Sequence, residues 1–127
     1  MMSIFNHVVL GTNDLGKARL FYDGALGALG PKRLGDLASA SLWGADSPEL
    51  MVTKPLDGNA ATVSNGATLA FRAPSRASVR EFHRQALALG GTCEGPPGPR
   101  AVAPNAFAAY VRDPDGNKLA AYCFASE

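Results

Sequence analysis

The chain has 127 residues, with twelve basic and eleven acidic side chains giving a formal charge of +1. That length fits one domain, and a balanced charge without a Lys/Arg run leaves no electrostatic footprint for nucleic acid or an anionic membrane. No apolar stretch reaches the ~20 residues of a bilayer-crossing helix, and no charged region followed by an apolar run opens the chain, so a cytoplasmic protein with small-molecule or protein partners is expected.

In chain order, the apolar, β-branched residues 4–10 predict a strand. Thr12, Asn13 and Asp14 then offer capping groups for a helix over about 15–28. Within it Ala18, Phe21, Tyr22, Ala25, Leu26 and Leu29 recur at three-and-four spacing, an apolar stripe that should lie on a sheet. Gly27, Gly30 and Pro31 stop the helix, and short strands are predicted at 31–36, 38–43 and 48–53 between Gly-Asp and Gly-Ala-Asp-Ser-Pro turns. The small, polar residues 54–66 read as a linker. A second set follows: a strand at 67–73, a helix opened by Pro74-Ser75 and running to about Leu89, and a short strand near 92–95. The Gly/Pro-rich run GPPGPR reads as a loop, and strands at 106–112 and 118–124 are joined by the tight turn Asp113-Pro114-Asp115-Gly116-Asn117. Cys93 and Cys123 form no disulfide or zinc spacing and read as two reduced, half-buried thiols.

The two sets are a repeat. Shifted by sixty-one positions, residues 7–30 fall on 68–91, with Arg19 on Arg80, Phe21 on Phe82, Ala25 on Ala86, Leu26 on Leu87 and Gly30 on Gly91. Each unit is too short to bury a stable core alone, so module 1 (about 4–53) and module 2 (about 67–124) should fold as one body. Strand alternation then divides the side chains. Val8, Leu10, Leu69, Phe71, Leu119, Ala121 and Cys123 should face the helices. His7, Val9, Met51, Thr68, Ala70, Ala120 and Tyr122 should share the opposite face, with Glu49 in phase with Met51. Tyr110, Tyr122 and Trp43 are candidate aromatic walls for a planar ligand, and Arg100 and Arg112 a candidate clamp for an anionic one. Trp43 has an equally good reading as core or interface filler.

The twice-used β-α-β-β-β pattern, the strand-one histidine His7, the run GATLAFRAPSRASVREFHRQALALGG and the closing AAYVRDPDGNKLAAYC resemble the vicinal oxygen chelate superfamily of glyoxalases, bleomycin-resistance proteins and extradiol dioxygenases. The resemblance implies an α+β fold in which two tandem βαβββ modules curve into a half-open sheet or barrel around a ligand or divalent metal, commonly in a homodimer. It also implies three metal ligands, whose positions fall here on His7, Thr68 and Ala120. Only the first is a competent donor. Glu49 is a substitute carboxylate, but His7 and Glu49 together are two donors, short of what a Zn, Mn, Ni or Fe(II) site needs. No cofactor is therefore expected.

The leading expectation is metal-independent binding of an apolar or aromatic small molecule by His7, Val9, Met51, Thr68, Ala70, Tyr110, Ala120 and Tyr122. His7 serves either as a polar or general-base group at the pocket floor or as a strand histidine satisfied by backbone or water. Two rivals stand beside it. One is a metal-dependent lyase, isomerase or dioxygenase using His7 and non-standard ligands. The other is an interaction protein whose cup is filled by side chains. No Walker loop, nucleophile elbow, strand-borne GxGxxG or CxxC pair supports nucleotide hydrolysis, dinucleotide redox chemistry or thiol exchange.

Overall fold

A computed structural model describes residues 3–126. The elements run β1 (Val8–Gly11), α1 (Leu15–Gly27), β2 (Lys32–Asp36), β3 (Ala40–Gly44), β4 (Leu50–Thr53), β5 (Leu69–Arg72), α2 (Arg76–Ala88), β6 (Thr92–Pro99), β7 (Phe107–Arg112) and β8 (Lys118–Cys123). They form two mixed four-stranded sheets of identical topology, β1-β4-β3-β2 and β5-β8-β7-β6. In each, the first strand runs parallel to the last, with Val9 opposite Met51 and Ala70 opposite Ala120. A parallel pair requires a crossover, which α1 and α2 supply.

Local chemistry starts both helices. The Asp14 carboxylate accepts the Lys17 N–H at 3.0 Å, and Ser75 and Ser78 cap each other reciprocally at the start of α2. The apolar stripe of α1 buries Ala18, Phe21, Tyr22, Ala25 and Leu26, and α2 buries Val79, Phe82 and Ala86. The helices also pack on each other. A single core thus joins both modules, from Trp43, Leu50 and Val52 under α1 to Phe107, Val111, Leu119, Ala121 and Cys123 under α2. Val8, Leu10, Leu69 and Phe71 pack against it, as the alternation predicts. Gly91 sits where a Cβ would lie 2.6 Å from the Arg112 carbonyl oxygen and 2.9 Å from the Phe21 ring. Only a bare backbone lets α1 come this close to the second module.

A polar clasp joins the modules at the β7–β8 turn. Buried Asp113 accepts the Tyr22 hydroxyl at 2.6 Å, the Asn117 amide at 2.9 Å, and the backbone N–H groups of Asp115 and Asn117. Asp115 accepts the Thr12 hydroxyl at 2.5 Å and the Asn13 N–H at 2.8 Å, while the Asn117 side chain donates to the Gly11 carbonyl at 3.1 Å. Burial, with the Asp113 carboxylate beside it, pushes the Tyr22 phenol well above its ordinary pKa. The linker is fastened too: the Asn13 side chain donates to the Ala61 carbonyl at 3.1 Å and accepts the Ala61 N–H at 2.7 Å.

Several details differ from the sequence reading. The opening strands of both modules are shorter: pairing begins at Val8 and at Leu69, and residues 4–7 and 67–68 before them are exposed. The run GPPGP is not a loop but continues β6 to Pro99. This strand is an edge that pairs only with β7, and breaks in register at Cys93/Gly95 and Gly95/Gly98 absorb the residues that cannot donate. The two thiols are not alike: Cys123 is buried and Cys93 exposed. Alternation seats Cys123 with Leu119 and Ala121, whereas Cys93 lies on the edge strand, its sulfur 3.2 Å from His83 Nε2.

Candidate functional site

The faces of the sheets turned away from the helices are chemically unlike. On the first sheet Val9, Met51 and Leu42 share this face through the register Val9–Met51–Leu42. Val9 keeps 46% of its surface exposed. On the second sheet the register Ala70–Ala120–Tyr110 sets the face, flanked along β8 by Lys118 and Tyr122. Tyr110 and Tyr122 meet edge to face at 5.9 Å and share a short hydrogen bond between their hydroxyls. That bond and partial burial hold the Tyr110 phenol above its ordinary pKa. Tyr122 stacks on Phe124 at 5.6 Å and 18°. Lys118 and Arg100 each lie over the Tyr110 ring, at 5.4 and 5.5 Å.

Beside these tyrosines lies a groove of about 420 Å³, lined by Ala70, Phe71, Arg72, Val102, Ala103, Tyr122 and Phe124. Its size is that of small-molecule sites, and its wall is apolar apart from Arg72 and Tyr122. Of the expected ligand-binding residues it brings together Ala70 and Tyr122. Tyr110 joins through its bond to Tyr122, and Val9 and Met51 lie on the other sheet.

The remaining candidates fare differently. His7 and Thr68 precede β1 and β5 and are exposed, the His7 Nδ1 lying 2.7 Å from the Asn6 side-chain oxygen. Ala120 is fully covered between Tyr110 and Ala70, so it forms no open floor. Trp43 is no pocket wall either. It is wholly buried against Tyr22 and donates its indole N–H to Asp23 at 3.0 Å, because in β3 it points to the helix side. The candidate arginine clamp does not form. Arg112 pairs with Glu94 at 3.2 Å and donates to the Gly116 carbonyl. Arg100 is spent on the carbonyls of Pro96, Gly98 and Pro99. Arg72 went unremarked in the sequence, although the alternation that puts Ala70 on the open face puts Arg72 there as well.

The donor set does not fit the metal of the resembling superfamily. Of the three positions, Ala120 offers no donor atom and is sealed from solvent, and Thr68 offers one neutral hydroxyl. Glu49 lies across from His7, the Val8 N–H donating to the Glu49 carbonyl at 2.9 Å. Its carboxylate, however, turns back to the Ala45 N–H at 3.4 Å. Among the described residues no three His, Cys, Asp or Glu side chains cluster as a metal site would need.

Known proteins give the architecture its relatives. The chain is similar to a crystallised glyoxalase/bleomycin resistance protein from Albidiferax ferrireducens T118, at 41% identity over 94% of this chain and 98% of that one, with a TM-score of 0.87. It shares its fold with the genomically encoded fosfomycin resistance protein FosX of Listeria monocytogenes, at 20% identity over 96% and 93% of the two chains and a TM-score of 0.67. Lactoylglutathione lyase of Agrobacterium tumefaciens is similar in the same way, at 20% identity, 94% and 92% coverage and a TM-score of 0.66. No curated protein matches the chain significantly. The family profile described as Glyoxalase/Bleomycin resistance protein/Dioxygenase superfamily matches residues 4–121, nearly the whole length, and the chain belongs to that superfamily.

Proposed function

We propose that this protein binds an apolar or aromatic small molecule without a metal, as a cytoplasmic homodimer. The observation that carries the reading is the open groove beside Tyr122, floored by Ala70 and walled by Val102 and Phe124. Burying an aromatic ligand's apolar area there stabilises the complex by about 25 cal/mol per Å², and the Tyr122–Phe124 stack presents a flat surface to it. The lack of a third donor beside His7 and Glu49 argues against the metal-dependent lyase, isomerase or dioxygenase reading. The open groove argues against a purely structural interaction protein. Self-association is supported by the exposed Ile4, Phe5 and Val9 near the first edge strand.

The test is a thermal-shift screen of chelator-treated protein against aromatic compounds and divalent metals, with metal analysis of the purified wild type and His7→Ala. A ligand at a hundred times its Kd adds about 2.7 kcal/mol to stability. Aromatic compounds raising Tm in the absence of metal is the expected result. Stoichiometric metal in the wild type that is lost in His7→Ala would overturn it.

A further inference from the structure

Resting on the reading that this groove is a binding site, we infer that its ligand is a planar aromatic monocarboxylate, held by the Arg72 guanidinium with its ring against Tyr122 and Phe124. Arg72 ends β5 and is the only charged residue of the groove wall. No carboxylate in the wall or elsewhere among the described residues lies within ion-pair distance of it. Its neighbours on this side of the sheet are already engaged: Arg112 by Glu94, Arg100 by three carbonyls and the Tyr110 ring, and Lys118 by that same ring. The groove thus offers one unneutralised cation at the border of an otherwise apolar surface.

A guanidinium presents two parallel N–H donors that match the two oxygens of one carboxylate. One free cation balances one negative charge. A phosphate dianion would need a second cation or a helix N-terminus, and the groove wall holds neither. The aromatic part of the class follows from Tyr122 and Phe124, whose rings stack at 18°. Val102, at 71% exposure, and Phe124, at 56%, leave apolar surface for the ligand to cover. A cavity of about 420 Å³ suits a molecule of one or two rings.

The experiment is calorimetric titration of the full chain with 2-naphthoate and its neutral isostere 2-naphthamide, for wild type, Arg72→Gln and Phe124→Ala. Naphthoate should bind the wild type at least tenfold more tightly than naphthamide. Arg72→Gln should erase that preference, weakening naphthoate at least tenfold and naphthamide far less, with the fold retained because Arg72 is exposed. Phe124→Ala should weaken both probes together. Equal affinity of the wild type for the two probes, or a preference that survives Arg72→Gln, overturns the carboxylate assignment and leaves aromatic binding standing. If neither probe binds the wild type, the inference and the reading beneath it fall together.

Discussion

Tyr22→Phe removes one oxygen from the centre of the clasp, and its effect can be worked out. The phenol is buried, and its hydroxyl donates at 2.6 Å to the Asp113 carboxylate. A buried hydrogen bond to a charged acceptor contributes about 1.5–3 kcal/mol. For a domain of this size that corresponds to a fall in Tm of roughly 5–15 °C. Asp113→Ala should cost more, about 3 kcal/mol or above, since it also strands the Asn117 amide and two turn N–H groups. The decisive measurement is a double-mutant cycle by urea denaturation. In the Asp113→Ala background the Tyr22 hydroxyl is already buried without its acceptor, so adding Tyr22→Phe should be neutral or stabilising there. The pH dependence adds a second reading. The folded-state pKa of Tyr22 is raised, so its contribution is fully present below the ordinary phenol value of about 10 and is lost as pH climbs toward the folded value. Tyr22→Phe should therefore flatten the alkaline fall in stability. If Tyr22→Phe costs the same with and without Asp113, or less than about 0.5 kcal/mol in the wild type, this account of the clasp is wrong.

Two further outcomes follow from the packing. Gly44→Ala would place a Cβ 1.9 Å from the Ser47 carbonyl oxygen, so the β3–β4 turn must rebuild; a loss of about 1–3 kcal/mol or more is expected in thermal unfolding. Ellman's reagent should titrate one thiol in the native protein and two in urea, with Cys93→Ser abolishing the native signal, because Cys93 is exposed and Cys123 is not; rapid native reaction of Cys123 would contradict the packing of β8.

What sequence could and could not reveal follows from the range of the interactions. The repeat and the period-two alternation place Val8, Leu10, Leu69, Phe71, Leu119 and Cys123 correctly, because which face a residue occupies is set by its immediate neighbours in the strand. The topology follows from the same pattern. The clasp was invisible, although its turn was predicted, since the Tyr22–Asp113 bond spans 91 positions and nothing in the turn's own residues names the helix it will hold. The candidate arginine clamp is absent for a similar reason: Glu94 neutralises Arg112 from the neighbouring strand, and bulges in a proline-rich edge decide where Arg100 points. Alternation puts Ala120 on the right face, but the pocket floor expected of it is closed. Its exposure depends on two flanking tyrosines whose hydroxyls join.

Asn13 has a consequence of its own. By giving and receiving a bond at the same residue, its amide imitates the edge of a strand, and Ala61 docks on it as a neighbouring strand would. The crossing between the halves is thereby stitched to the loop that opens α1. Two molecules that traded second halves would have to break that seam along with the clasp and the shared core.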